Sequence, residues 1–294
     1  MTRLLLVGIA GLIAQLVDGA LGMSYGVTST TLLLAAGIAP ALASASVHIA
    51  EVGTTAASGL SHWRFGNVDW SKVFWLAIPG AVGAFLGAVV LSSVISAEAA
   101  EPIIAVFLFL LGIYILARFT FERAGNLIND RPIARAFLAP LGFVAGFLDA
   151  VGGGGWGPIS TPTLLSSRRM EPRKVVGTVD TSEFIVALAA SAGFLLTLNF
   201  NQIPFQLVGA ILVGGIIAAP IAAWVVRHLN ARVMGTAVGG FILLTNANTF
   251  LGAIGFDPSV NIPVYIAIVA VWVSALYLAI STTRRERKPV LETS

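Results

Sequence analysis

The sequence predicts an all-α, polytopic membrane protein: an inverted-topology repeat with two hairpins of broken helix, followed by one C-terminal transmembrane helix. Three observations predict it. The 294 residues are 57% hydrophobic and 11% charged, with a mean hydropathy of +0.91, whereas about a quarter of residues are charged in an ordinary globular domain. A segment of about 130 residues recurs within the chain. The basic residues all lie outside the apolar stretches.

Taken in order, the first apolar region, residues 4–36, is too long for one span and is broken in the middle by glycine. It predicts a helix, a turn and a second short helix. Its basic start and short apolar run resemble a signal peptide, but an internal copy of the region argues against that reading. Single spans follow at about 41–60, 73–94 and 103–117. The second broken region, 136–165, carries four consecutive glycines, and single spans return at about 175–198, 207–226, 233–254 and 264–280. Each of these stretches meets or approaches the roughly 20 helical residues that cross a bilayer core.

The internal copy fixes the organisation. "DGALGMSYGVTSTTLL" from Asp18 aligns on "DAVGGGGWGPISTPTLL" from Asp149, matching Asp18 with Asp149, Gly22 with Gly153, Tyr25 with Trp156, Gly26 with Gly157 and Thr30 with Thr161. One added residue later Pro40 falls on Pro172, His48 on Asp180 and Glu51 on Glu183. "GAVGAFLGA" from Gly80 resembles "GIIAAPIAA" from Gly215 more weakly. Residues 1–294 therefore read as one transmembrane domain: repeat one over about 1–119, repeat two over about 136–255, an extra helix over about 262–281 and a tail over 282–294.

Orientation follows from the basic residues. Arg64 and Lys72, the arginines from Arg118 to Arg135, the group Arg168 to Lys174, Arg227 and Arg232, and the tail from Arg284 to Lys288 mark the cytoplasmic side by the positive-inside rule. The segments around Ile38, 93–98, 199–204 and 255–261 carry no Lys or Arg and read as outside. The C-terminus is thereby placed in the cytoplasm and the N-terminus outside, in a cell (inner) membrane. The halves then have opposite topology, an arrangement that builds a central site between discontinuous helices. The hairpins are expected to enter from opposite sides and meet near the midplane, where irregular backbone is tolerated only inside protein or along a cavity.

Six ionisable groups interrupt the apolar segments: Asp18, His48, Glu51, Asp149, Asp180 and Glu183. Unpaired charge at such depth costs at least about 2.5 kcal/mol, so the symmetric placement calls for a cause. His48 with Glu51, and Asp180 with Glu183, share a helix face at a spacing of three residues. Ser44 and Thr55 extend the first stripe. These four ionisable residues read as a proton-handling surface, or as a buried pair His48–Glu51 with Asp180 or Glu183 bonded to hairpin amides. Asp18 and Asp149 end the first arm of each hairpin, where a carboxylate orders the turn by accepting its open amides.

The glycine turns carry a sharper expectation. Gly152, Gly154 and Gly157 fit the letters of a nucleotide-binding G-x-G-x-x-G, but no strand precedes them and no Lys follows, so that reading falls. A short helix is expected from about Val27 and another from Pro158, each pointing its amino end and free N–H groups at the centre. Two such ends form an anion site without buried Lys or Arg. Its lining is expected from Ser24, Tyr25 and Gly26, from Gly153, Gly154, Gly155, Trp156, Gly157 and Thr161, and from the polar cluster around Asn246 and Asn248, which has interhelical bonding as its other reading. Gly80, Gly83, Gly87, Gly214 and Gly215 read as close helix packing.

The motifs "LVDGALGMSYG" and "FLDAVGGGGWGPISTPTLL", followed by "VVGTVDTSEF", resemble the TauE/SafE sulfite exporter family over nearly the whole chain. The first-half motif departs from the family pattern, with Leu21, Met23 and Ser24 where glycines are expected. The resemblance implies movement of small anions, such as sulfite, sulfonates like sulfoacetate, or small organic acids, with export coupled to the proton gradient. A second reading makes the same acids ligands of a transported cation. A third, a membrane-embedded enzyme, is weak because a lone membrane histidine makes no persuasive metal site. With no cysteine in the chain, thiolate and disulfide chemistry is excluded. The expected partners are a small anion, protons and the bilayer, with no nucleic acid, no cofactor and no resident metal, and with self-association left open.

Overall fold

A computed structural model describes residues 2–23, 25–121, 133–167, 169–225, 231–253, 255–256 and 261–291. Among them there are eleven α-helices and no strand. They are α1 (Thr2–Leu21), α2 (Tyr25–Ala35), α3 (Pro40–Arg64), α4 (Trp70–Ser93), α5 (Ala97–Phe121), α6 (Arg135–Gly152), α7 (Trp156–Ser167), α8 (Pro172–Thr197), α9 (Phe205–Val225), α10 (Ala231–Ala253) and α11 (Asn261–Leu291). Six described stretches are long and apolar enough to cross a membrane: Trp70–Ser93, Pro102–Phe121, Arg135–Gly152, Arg173–Thr197, Phe205–Trp224 and Ile262–Arg285. α3 is not among them, because its buried face carries Ser44, His48, Glu51, Thr55, Ser58 and His62 in place of apolar side chains.

Both broken regions form helix–turn–helix hairpins, α1–α2 and α6–α7. Each first arm ends on a left-handed glycine, Gly22 at φ 66° and Gly153 at φ 66°, a conformation that glycine adopts without a Cβ penalty. The second arms start at Tyr25 and Trp156, two residues earlier than the expected Val27 and Pro158. The aspartate caps described below account for the difference: they satisfy the first amides, so Gly26 and Gly157 enter the first helical turn. The proline at N1 of both α3 and α8 supplies a preset φ at a position without an N–H requirement. α11 also exceeds its apolar run, continuing through Arg284, Arg285, Arg287 and Lys288 to Leu291, since Arg, Glu and Lys are good helix formers. The tail expected from 282 is thus helical as far as it is described.

The chain divides into two compact units, residues 1–104 with 125–227, and residues 105–124 with 228–294. In the first, α4 packs along α6 and α8, α9 along α1 and α3, and α3 on α8. Glycines permit the tightest of these contacts. A Cβ on Gly83 would run into the Phe143 carbonyl, one on Gly146 into the Gly80 carbonyl and one on Gly214 into the Gly8 carbonyl. Backbones approach here as small-residue helix faces allow. In the second unit Phe109 stacks on Phe250 at 4.1 Å, the Thr120 and Thr236 hydroxyls lie 3.3 Å apart, and Gly240 makes room for the Trp272 ring.

Candidate functional site

The two hairpin turns lie against each other inside the first unit. A Cβ on Gly154 would overlap the backbone of Gly26 and Val27, and a Cβ on Gly157 would overlap Met23 and the Gly22 carbonyl. Two hydrogen bonds tie the turns reciprocally. Thr161 Oγ1 donates to Gly22 O at 2.5 Å, and Thr30 Oγ1 donates to Gly153 O. These are positions matched in the sequence alignment, so each half reaches into the other's turn in the same way. Trp156 and Tyr25, also matched, are both buried. The Trp156 ring rests where Gly80 leaves space and donates from Nε1 to Val179 O at 3.0 Å. Tyr25 rests against Gly215 and directs its hydroxyl to Ile211 O at 3.5 Å.

Asp149 orders its turn directly. Its Oδ1 accepts from Gly155 N at 2.6 Å and Trp156 N at 2.9 Å, and its carbonyl accepts from Gly154 N at 3.0 Å. Asp18 does the same more sparsely, with Oδ1 accepting from Tyr25 N at 3.3 Å and its carbonyl from Gly22 N at 2.5 Å. A carboxylate thus sits on the amino end of each short helix, where partial positive charge favours an anion.

The five membrane acids and His48 gather into two clusters rather than one. His48, Glu51 and Asp149 form the first, and Asp18, Asp180 and Glu183 the second, with ligand atoms in each within 4.8 Å of one another. Each cluster takes two residues from the long helix of one half and the aspartate from the hairpin of the other. His48 is paired mainly with Asp149, Nε2 to Oδ2 at 3.1 Å, and only loosely with Glu51 at 3.9 Å. The expected His48–Glu51 pair is therefore secondary, because the α6–α7 hairpin delivers a closer carboxylate than the helical spacing does. His48 Nδ1 lies 2.8 Å from Ser44 O. A carbonyl only accepts, so Nδ1 carries a proton. The short Nε2–Asp149 contact then holds one further proton, on the imidazole or on the carboxyl. Ser44 Oγ closes the arrangement by donating to Ala150 O at 2.7 Å.

The second cluster has no such internal base. Asp180 occupies the position matched to His48, and both of its oxygens, with Asp18 Oδ2, are buried without a hydrogen-bond partner. The nearest described basic group is His62, which sequence reasoning placed beyond the span. α3 continues to Arg64, so His62 is fully buried, with Nε2 3.9 Å from Asp180 Oδ2. The signal was present in the sequence: His48, Glu51, Thr55, Ser58 and His62 alternate by three and four, one continuous helical face.

Asn246 belongs to the other unit, where its Nδ2 donates to Ile242 O at 2.9 Å. Ser24 and the Asn248 side chain lie outside the described residues.

A family described as sulfite exporter TauE/SafE matches residues 7–249 of the chain. The chain is also similar to the probable membrane transporter protein YtnM of Bacillus subtilis (strain 168), at 53% identity over 282 residues, which cover 96% of this chain and 94% of that protein. No solved structure matches it.

Proposed function

Because the chain belongs to the sulfite exporter TauE/SafE family, we propose that this membrane transporter is a secondary active exporter of a small anion, coupled to protons through alternating access. The substrate class is sulfite, sulfoacetate or a related sulfonate, or a small organic acid. The two halves are taken as an inverted pair that rocks about the touching turns.

The observation that carries the reading is the pair of opposed hairpin turns, each with a carboxylate bound on its helix amino end. Asp149 and Asp18 mark the spots where these turns hold negative charge. A substrate anion would compete with them for the same amides. When the turns separate, Gly26, Gly153, Gly154, Gly155 and Gly157 present backbone without side chains, and Tyr25, Trp156 and Thr161 stand beside them. Proton transfer on the adjoining clusters would alter how tightly each aspartate holds its turn, and so link proton and anion movement. His48, Glu51, Asp180 and Glu183 are the groups that would carry those protons.

A second reading, a cation transporter, is favoured by one observation. Asp18, Asp180 and Glu183 converge with no matched base among them. Purified protein in vesicles with an imposed pH gradient separates the two. Labelled sulfite, sulfoacetate or a small carboxylate should accumulate only with the gradient. Movement of a metal ion, with none of these anions moving under any gradient, would sink the anion reading.

A further inference from the structure

We propose that His62 relays protons between the Asp18–Asp180–Glu183 cluster and the Arg64 end of α3. The proposal rests on the proton-coupled reading above and gives one of its two look-alike sites a route to the surface.

The argument comes from the places where the two halves differ. The register that matches His48 with Asp180 matches His62 with Phe194. In the folded chain the members of these pairs cross over. His48 faces Phe194, ring centroids 5.9 Å apart, while Asp180 faces His62. One cluster thus holds its own base and is covered by a buried hydrocarbon ring. The other holds a third carboxylate and is covered by an imidazole.

In the first cluster both Glu51 oxygens are buried without a hydrogen-bond partner, but the histidine is fully engaged. His48 has Ser44 O on one nitrogen and Asp149 on the other, and Asp149 is further bound by two amides. The covering Phe194 ring offers no group to carry a proton onward from His48. In the second cluster three buried carboxyls meet, with both Asp180 oxygens and Asp18 Oδ2 unpartnered, and His62 Nε2 is itself buried without a hydrogen-bond partner. Such a cluster requires positive charge from outside, and a proton is the charge that imidazole delivers near neutral pH.

His62 is built for the transfer. The Asn67 amide nitrogen lies 3.2 Å from Nδ1, so a neutral ring carries its proton on Nε2, the nitrogen that faces Asp180. Closing the 3.9 Å gap to hydrogen-bond range needs a movement of about 1 Å. A proton arriving at Nδ1 leaves an imidazolium, and the Nε2 proton then passes to the Asp180 carboxylate to give a carboxylic acid and a neutral ring. Turning the Asn67 amide over presents Oδ1, now unpartnered, to a protonated Nδ1. The next residues, Trp63 and Arg64, are exposed, so His62 is the last buried residue of α3. Groups facing it are Asp180 from α8, the backbone of Gly19 with neighbouring Asp18 from α1, and Asn67 from the α3–α4 loop. The cations bound to that loop are Lys174 from α8, which donates to Val68 O at 3.2 Å, and Lys72 from α4, which donates to Asp69 Oδ2 at 3.2 Å.

The test compares His62→Gln with His62→Glu, similar in size but only one able to carry a proton, in vesicles. In His62→Gln, pH-gradient-driven anion uptake should fall by at least about tenfold, while gradient-independent anion exchange stays within about twofold of wild type. His62→Glu should keep coupled uptake with a changed pH profile. Should both variants lose exchange, Asn67→Asp is decisive: a carboxylate beside Nδ1 should move the pH profile of coupled uptake upward by about one unit. Unchanged coupling in His62→Gln, or an unmoved profile in Asn67→Asp, overturns the relay. Wild-type protein that never responds to a pH gradient overturns the transport reading instead.

Discussion

His48 Nε2 lies 3.1 Å from Asp149 Oδ2, joining the long helix of one half to the hairpin of the other. Both side chains are buried, so the pair ties the turn that would bind substrate to the helix that would handle charge. Breaking a buried ion pair by removing one partner costs about 3–5 kcal/mol. His48→Gln and Asp149→Asn should each destabilise by that order. The double variant should lose less than the sum, because neither charge is then left alone. Thermal unfolding in detergent, run as a double-mutant cycle, reads the coupling, and additive losses would remove the pair from the account.

The glycines separate into two kinds. Gly154, at φ 151° and pressed on Gly26 and Val27, holds the turns together, so Gly154→Ala should cut anion binding while membrane insertion persists. Gly146 only lets α6 approach α4, so Gly146→Ala should destabilise by about 1–3 kcal/mol. Binding calorimetry and unfolding midpoints on the two variants should show opposite orders of effect. Equal losses in both measurements would make the turn mere packing.

The reciprocal threonine bonds predict how the turns part. Thr30→Val and Thr161→Val each remove one cross-turn hydrogen bond, worth about 1 kcal/mol. The turns should open more often, and hydrogen exchange at residues 153–156 should speed up by roughly fivefold per variant. Exchange that does not change would mean that the bonds do not hold the closed form.

Asp180→Asn and Glu183→Gln test coupling from the acid side. Each should lower gradient-driven uptake at least about tenfold more than it lowers exchange. Vesicles assayed with and without the gradient give the ratio, and an unchanged ratio would take these carboxyls out of the proton path.

Outside the spans, Asp69 caps α4 through Ser71 N at 3.0 Å and pairs with Lys72 at 3.2 Å. Partial burial alone would raise its carboxyl, but the bonds from Ser71 and Lys72 prevail and hold it below the usual carboxylate range. A depressed carboxyl stabilises above its unfolded value, and that stability is lost as pH falls through the folded value. Asp69→Ala should therefore cost about 1 kcal/mol at pH 7, much of the charge effect being screened by solvent, and the difference from wild type should fade below about pH 4. Unfolding midpoints at the two pH values check the sign.

Much of the architecture was legible in the sequence because it is set by local causes. Apolar length gives the spans, and Gly22 and Gly153 give the hairpin breaks. Asp18 and Asp149 announce the caps by sitting just ahead of open amides. The helix starts at Tyr25 and Trp156 were misjudged by two residues, because the reach of a capping side chain depends on a turn geometry that spacing does not specify. His62 was missed because apolarity ended the span at residue 60, although the three-and-four spacing of its face continued.

The sequence alone determined the all-helical membrane class, the two broken helices and the matched acids, since hydropathy, glycine and internal repetition act at short range. Only the tertiary structure decided that the acids form two clusters, that each combines residues from both halves, and that His48 meets Asp149 and Phe194 while Asp180 meets His62. Those pairings depend on helices far apart in the chain packing with small residues between them, and no local pattern records which distant helix will be the neighbour.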